Sequence, residues 1–120
     1  MQRRLFIQSL AATASTSALP LLAQSAKPQV EVWKDPSCGC CKDWIAHMQS
    51  SGFAVKSHDS GNTAARARLG LPQRLGSCHT ALVGGYVVEG HVPASDVKRL
   101  LKERPKALGL AVPGMPVGSP

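Results

Sequence analysis

The fold is decided by residues 29–41, which read QVEVWKDPSCGCC. Polar and apolar residues alternate over 29–33, a pattern typical of a β-strand with one buried face. Pro36 disfavours helical geometry in the residue before it, so a turn follows the strand, and Ser37 is a suitable helix N-cap. Apolar residues then recur at helical spacing, at Cys41, Trp44, Ile45 and Met48. The stretch therefore predicts a strand, a turn and a helix that begins at a group of cysteines.

The rest of the chain adds further alternating and helical patterns. Gly84-Gly85 separates two β-type runs and predicts a hairpin. A last helix, capped by Ser95, ends at Arg104-Pro105. The predicted elements after the first helix are a strand over 53–58, a helix over 63–69, strands over 80–83 and 86–89, and a helix opening at 93–96. This order, β-α-β-α-β-β-α, predicts an α/β fold, a thioredoxin-like single domain with a right-handed helical crossover.

The first 26 residues have the pattern of a signal peptide. A basic start at 1–4 is followed by an uncharged run over 5–23 and a polar exit. The run is diluted by serine and threonine and interrupted by Pro20, so it does not predict a membrane span. Arg3-Arg4 before Leu5-Phe6-Ile7 resembles a twin-arginine signal, with an ordinary Sec signal as the alternative. Either signal predicts export to the periplasm of a Gram-negative bacterium.

The remaining chain divides into a domain over 27–107 and a C-terminal extension over 108–120. Proline and glycine are frequent in the extension, which predicts an irregular segment. The formal net charge is +7, but the basic residues are scattered and aromatic residues make up only 4% of the chain. Because no basic stripe alternates with stacking aromatics, nucleic-acid binding is not expected. We expect a monomer without a membrane span once the signal is removed.

A crowded group of cysteines stands at the start of the first predicted helix. Cys38-Gly39-Cys40-Cys41 contains a C-x-x-C pair with an additional thiol inside it. Unpaired N–H groups at a helix N-terminus stabilise thiolates, the form that attacks disulfides and also the form that binds metals. Thiolates select soft metals such as Cu(I), zinc and iron–sulfur centres. Zinc and iron–sulfur spacings are matched poorly, whereas several Cu(I) ions bridged by shared thiolates would use a crowded cluster.

Other candidate ligands lie far from this group in sequence. Cys78-His79 occupies the loop where thioredoxin relatives place a cis-proline facing the redox pair, and no proline is present at 78–80. The presence of Cys78 and His79 in place of this proline favours a role as metal ligands over a role in binding a disulfide substrate. Histidine and methionine side chains also suit copper, which makes His91 and Met115 candidates. His47 and His58 are interpreted as structural or solvent-facing.

Four segments of the chain resemble the CopG-type copper-resistance proteins. The matching residues are Asp35 to Cys41, Ser77 to Ala81, Gly85 to Ala94 and Ala111 to Pro116. The resemblance implies a periplasmic thioredoxin-like domain with a C-terminal extension. It also implies a multinuclear copper cluster on a Cys-X-Cys-Cys motif, here Cys38, Cys40 and Cys41, and a role in converting copper between oxidation states. Cys78, His79 and Met115 match other recurrent positions of the family.

The sequence therefore predicts a periplasmic copper-binding protein that serves copper resistance. The predicted ligands are Cys38, Cys40, Cys41, Cys78, His79, His91 and Met115. Interconversion of Cu(I) and Cu(II) would make the protein a copper oxidoreductase. Its expected partners are copper ions and either a copper efflux system or a periplasmic electron-transfer protein. Two alternatives use the same cysteines: a metal-free thiol–disulfide oxidoreductase of thioredoxin type, and a structural zinc module.

Overall fold

The computed structural model describes residues 26–120, so all but the last residue of the predicted signal peptide lies outside the described part of the chain. The helices are α1 (Gly39–Ser50), α2 (Thr63–Arg68) and α3 (Ala94–Glu103), with a short 3₁₀ turn at Gln73–Leu75. The strands are β1 (Gln29–Lys34), β2 (Ala54–His58), β3 (His79–Val83), β4 (Tyr86–Glu89) and β5 (Gly109–Ala111). The predicted order of elements is confirmed up to α3. None of the helices found between residues 26 and 120 is long and apolar enough to span a membrane.

One mixed sheet organises the domain, with strand order β2-β1-β3-β4-β5. β1 pairs in parallel with β2, which requires the crossover through α1, and β1 pairs antiparallel with β3. β3 and β4 form the predicted antiparallel hairpin. The mixed α/β class predicted for this single domain is confirmed, and the topology is compatible with a thioredoxin-like fold. The antiparallel register sets His79 opposite Lys34, so the start of β3 lies beside the end of β1.

The core is formed by alternate residues of the sheet and by one face of each long helix. Val30 and Val32 of β1 are fully buried, as the alternation predicts. α1 buries Cys41, Trp44 and Met48, three residues at helical spacing. Further core residues are Phe53, Ala81, Val83, Tyr86, Val88, Val92, Ala94, Val97 and Leu100. Because the first turn of α1 is part of this packing, the core fixes where its cysteines stand.

Two predicted helix caps are wrong. Cys38, and not Ser37, occupies the N-cap position of α1. The Ser37 N–H and hydroxyl instead donate to the carboxylate of Asp35 at 2.9 and 2.6 Å, closing a local turn that competes with capping. α3 begins at Ala94, so Ser95 already lies within its first turn. The Ala94 N–H is satisfied from another element, because it donates to Nε2 of His47 at 3.0 Å.

The tail is not irregular throughout, contrary to the sequence prediction. Gly109–Ala111 forms β5, which pairs in parallel with β4 at the edge of the sheet. A Cβ atom at Gly109 would overlap the carbonyl of Val87, so this close pairing requires glycine. A three-residue strand has too short a pattern to be recognised, and its pairing partner is distant in sequence. Residues 112–120 lack regular secondary structure, as predicted.

Candidate metal centre

The turn between β1 and α1 and the loop before β3 bring all four cysteines together. The Sγ atoms of Cys38, Cys40, Cys41 and Cys78 lie within 4.8 Å of one another. Cys38 and Cys41 are joined as a disulfide, whereas Cys40 and Cys78 are free thiols. The Cys40 sulfur is 3.4 Å from that of Cys38. We name these four residues the cysteine cluster.

The four residues of the cysteine cluster differ in how deeply they are buried. Cys41 is fully buried in the core, and the other three cysteines are half-buried at the surface. The Cys41 sulfur lies 3.5 Å from the carbonyl oxygen of Cys78, so the loop before β3 closes directly over the first turn of α1. No cis peptide bond occurs in the part of the chain that the structure describes, this loop included. This loop therefore presents the thiol of Cys78 to the C-x-x-C pair, at the place where thioredoxin relatives carry a cis-proline.

Cys78 also belongs to a second group of potential ligands, which we name the histidine group: Cys78, His79 and His91. Their ligand atoms lie within 4.8 Å of one another, and both imidazoles are almost completely buried. Nδ1 of His79 is 3.4 Å from the Cys78 sulfur. The His79 ring packs against the indole of Trp44, with 4.3 Å between ring centroids. The thiol of Cys78 thus belongs both to the cysteine cluster, which offers only sulfur, and to the histidine group, which also offers two imidazole nitrogens.

Two buried nitrogens of the histidine group have no hydrogen-bond partner among the described residues. They are Nε2 of His79 and Nε2 of His91. Nδ1 of His91 donates to an oxygen of Pro120 at 2.6 Å, which leaves the lone pair of that imidazole on Nε2. Buried polar atoms normally have partners, so two unpaired imidazole nitrogens beside a thiol need an explanation. A metal ion is a chemically suitable partner, because imidazole nitrogen and thiolate are both ligands of copper and zinc.

The environment sets the protonation of this group. Burial, followed by repulsion from the neighbouring His91, lowers the pKa of His79 to about 3. The imidazole is therefore neutral near pH 7 and can offer a lone pair. Burial raises the pKa of the Cys78 thiol, as does the nearby Cys40. A thiolate at Cys78 is thus unfavourable without a neighbouring cation, and a bound metal ion would supply that charge.

Met115 is placed differently from the other predicted ligands. Its side chain is 53% exposed. The carbonyl of the preceding residue, Gly114, accepts a hydrogen bond from the Ser77 hydroxyl at 3.4 Å. Because Ser77 precedes Cys78, the tail runs beside the cysteine cluster while the thioether remains largely in solvent. A ligand role for Met115 stays a prediction.

The two remaining histidines have the structural or solvent-facing positions that the sequence predicts. His47 accepts the first N–H of α3, as described above. His58 lies 2.8 Å from a carboxylate oxygen of Glu31 and stacks on Trp33, with ring centroids 5.3 Å apart. Neither residue belongs to the groups of potential ligands found in the described chain.

Sequence reasoning missed the polar network beneath the Cys78 loop. It consists of the buried pair Arg66 and Glu89 with Asn62 and Thr80. In the sequence, Glu89 is the last residue of a predicted strand, and Arg66 is one of several scattered basic residues. A carboxylate directly after the apolar run over 86–88 is a usable signal, because a fully buried acid requires a partner. The sequence does not show which basic residue provides it.

Comparison with known proteins identifies the family. Two solved structures, named copper resistance protein CopG form 2 and form 1, each share 50% sequence identity with this chain. Form 2 superposes with a TM-score of 0.73 over 78% of this chain and 76% of that one. Form 1 gives a TM-score of 0.72 over 78% and 75%. The chain belongs to the CopG family of copper-resistance proteins.

A family model described as "Protein of unknown function, DUF411" matches residues 75–120, the part of the chain that includes Cys78, His79, His91 and Met115. None of the curated proteins matches the sequence. Membership of the CopG family confirms the resemblance predicted from the four sequence segments. The cysteine cluster of this CopG-family chain is compatible with copper binding.

Proposed function

We propose that this protein binds copper through the cysteine cluster and serves copper resistance in the periplasm. The observation that carries the proposal is the convergence of Cys78 on the Cys-X-Cys-Cys turn, with four sulfurs within 4.8 Å. Soft-metal binding needs several sulfurs to converge where water is restricted. The names of the two similar structures support copper as that metal.

The two overlapping ligand groups favour more than one copper ion. The cysteine cluster offers four sulfurs, which suit Cu(I), and the histidine group offers two imidazole nitrogens with a shared sulfur. Because Cys78 belongs to both, its thiolate can bridge ions held by each group. Imidazole ligands also suit Cu(II), so the same arrangement supports interconversion of the two oxidation states. A structural zinc module would need only one set of four ligands and leaves the unpaired imidazoles unexplained.

The disulfide between Cys38 and Cys41 favours a second candidate function, a thiol–disulfide oxidoreductase. A C-x-x-C disulfide at a helix N-terminus is the arrangement that such enzymes use. The loop in front of it argues against this function, because Cys78 and His79 occupy the place where a foreign disulfide would approach. In the copper-binding function an external thiol reductant must first reduce this disulfide, since Cys38 and Cys41 bind copper as thiolates.

The first prediction is that reduced protein binds more than one Cu(I) per chain. Anaerobic Cu(I) titration, followed by native mass spectrometry, measures the number, and electron paramagnetic resonance of the same samples after air exposure detects Cu(II). Cys40→Ser keeps the C-x-x-C pair and should lower the number, whereas Ser51→Ala, a helix-end control, should not. A one-to-one complex, or retention of zinc against copper in competition, would contradict the multinuclear cluster.

The second prediction concerns export, which we propose to be directed by residues 1–26 through the twin-arginine route. Replacing both Arg3 and Arg4 with lysine keeps the charge that a Sec signal needs but removes the arginine pair. Fractionation of cells that express the double variant should find the precursor in the cytoplasm. Normal accumulation in the periplasm would show that the signal is of the Sec type instead.

A further inference from the structure

We infer that Glu89 and Arg66 are positioning residues that fix the backbone on both sides of Cys78 and His79. The pair lies beneath the loop and touches none of the ligand atoms of the cysteine cluster. Its importance for copper rests on the proposed function, but its effect on the loop can be measured without metal.

The carboxylate of Glu89 holds both ends of the ligand dipeptide. Its side chain is fully buried at the end of β4. Oε1 accepts the Ser77 N–H at 2.8 Å, and Oε2 accepts the Thr80 hydroxyl at 2.5 Å. Ser77 and Thr80 flank Cys78-His79 directly, so one buried side chain holds the residues on both sides of this dipeptide.

Arg66, which lies on α2, adds further contacts to Glu89 and to the backbone of Ser77. Its Nε donates to Oε1 of Glu89 at 2.9 Å, and its Nη2 forms an ion-pair contact with the same oxygen at 2.8 Å. Nη2 also donates to the Ser77 carbonyl at 3.0 Å, and the amide of Asn62 donates to the same oxygen at 3.0 Å. Both backbone polar groups of Ser77 are therefore tied to the network. Charge-assisted hydrogen bonds of this kind are short and directional, which limits how far the loop can shift.

The residue after Glu89 holds the other side of the loop. Gly90 donates its N–H to the His79 carbonyl at 3.0 Å and adopts a φ of 77°, which favours glycine. A Cβ atom there would lie 2.8 Å from the Ser77 hydroxyl oxygen. The loop is thus held through Ser77, His79 and Thr80, while the thiol of Cys78 is not engaged by Glu89 or Arg66.

A buried ion pair is weak evidence for stability by itself, because hydrophobic residues of similar volume often replace such a pair without loss. This property provides the test. The double variant Arg66→Met with Glu89→Leu removes both charges together and avoids an unpaired buried ion. Arg66→Met with Glu89→Gln is the conservative variant, since it is also free of an unpaired buried charge and its amide oxygen can still accept the Ser77 N–H. Arg99→Met with Glu103→Leu changes the same residue types in an exposed ion pair and serves as the matched control.

Two measurements are made on each variant and on the parent. In metal-free protein, amide hydrogen exchange at Ser77 reports how firmly the loop is held. In reduced protein, competition with a chromophoric Cu(I) chelator gives the copper affinity. Loss of residues that orient metal ligands typically costs about 10- to 100-fold in affinity. We expect that range for Arg66→Met with Glu89→Leu, together with faster exchange at Ser77. We expect a smaller loss for Arg66→Met with Glu89→Gln and no change in the control.

The outcomes separate positioning from general stability. Leu100→Ala, a core truncation in α3, provides a variant of reduced stability with the network intact. Equal affinity losses in Leu100→Ala and in a network variant of the same unfolding midpoint would overturn the inference. So would parental affinity and parental Ser77 exchange in a folded double variant. If the parent itself binds no copper, the proposed function fails, and the exchange measurement alone supports or overturns the positioning role.

Discussion

Cys78→Ser is expected to weaken Cu(I) binding by at least about tenfold, and to lower copper content more than Cys40→Ser does. Changes in residues that only orient ligands already cost about 10- to 100-fold, so loss of a shared ligand should cost no less. The reason is structural: Cys78 belongs to both the cysteine cluster and the histidine group, whereas Cys40 belongs only to the first. Chelator competition and metal analysis of protein from copper-supplemented cells measure the two effects, and cells carrying Cys78→Ser should become copper-sensitive.

The same variant distinguishes copper binding from disulfide chemistry. Thiol exchange needs one attacking thiolate and one resolving thiol, which Cys38 and Cys41 would provide without Cys78, together with open access for a foreign disulfide. Ser77→Ala, which leaves every cysteine in place, is the control for changes in the loop. Insulin reduction by metal-free protein at a rate comparable to a thioredoxin, unaffected by Cys78→Ser, would make the oxidoreductase the primary function.

Trp44→Ala is expected to lower the free energy of unfolding by about 3–5 kcal/mol, the usual cost of truncating a buried tryptophan. Domains of this kind have only about 5–15 kcal/mol in total, so the variant should be close to unfolding. Trp44 is fully buried, and its indole N–H donates to the Val92 carbonyl at 2.8 Å. It also supports the His79 ring, so the loss affects the core and the site together.

Urea unfolding followed by circular dichroism measures this effect in metal-free protein. Trp33→Ala is the matched control, because Trp33 is only partly buried and stacks on His58 near the surface. We expect its unfolding midpoint to change far less. Trp44→Phe should retain most of the packing and lose the hydrogen bond to Val92. A midpoint for Trp44→Ala equal to that of Trp33→Ala would show that the indole is not a central part of the core.

The sequence alone predicted the elements whose patterns are local. Alternation identified β1, helical spacing identified the buried face of α1, and two glycines identified the hairpin between β3 and β4. The position of the Cys-X-Cys-Cys turn was predicted correctly, because a proline-containing turn between a strand and a helix depends only on residues adjacent in sequence. The crowding of the thiols already favoured copper over zinc and over thiol exchange, and family resemblance then supported copper.

Only the tertiary structure decided what converges on that turn. Pairing of β3 with β1 sets the start of β3 beside the end of β1, which brings Cys78 to the cluster across a separation of 37 residues from Cys41. Burial of His79 and His91, the support from Trp44, and the network of Glu89 arise in the same way. These contacts join residues far apart in the chain, and no local pattern encodes them. The sequence thus determined the ligand types and their local turn, and the packing of the sheet determined which of them meet.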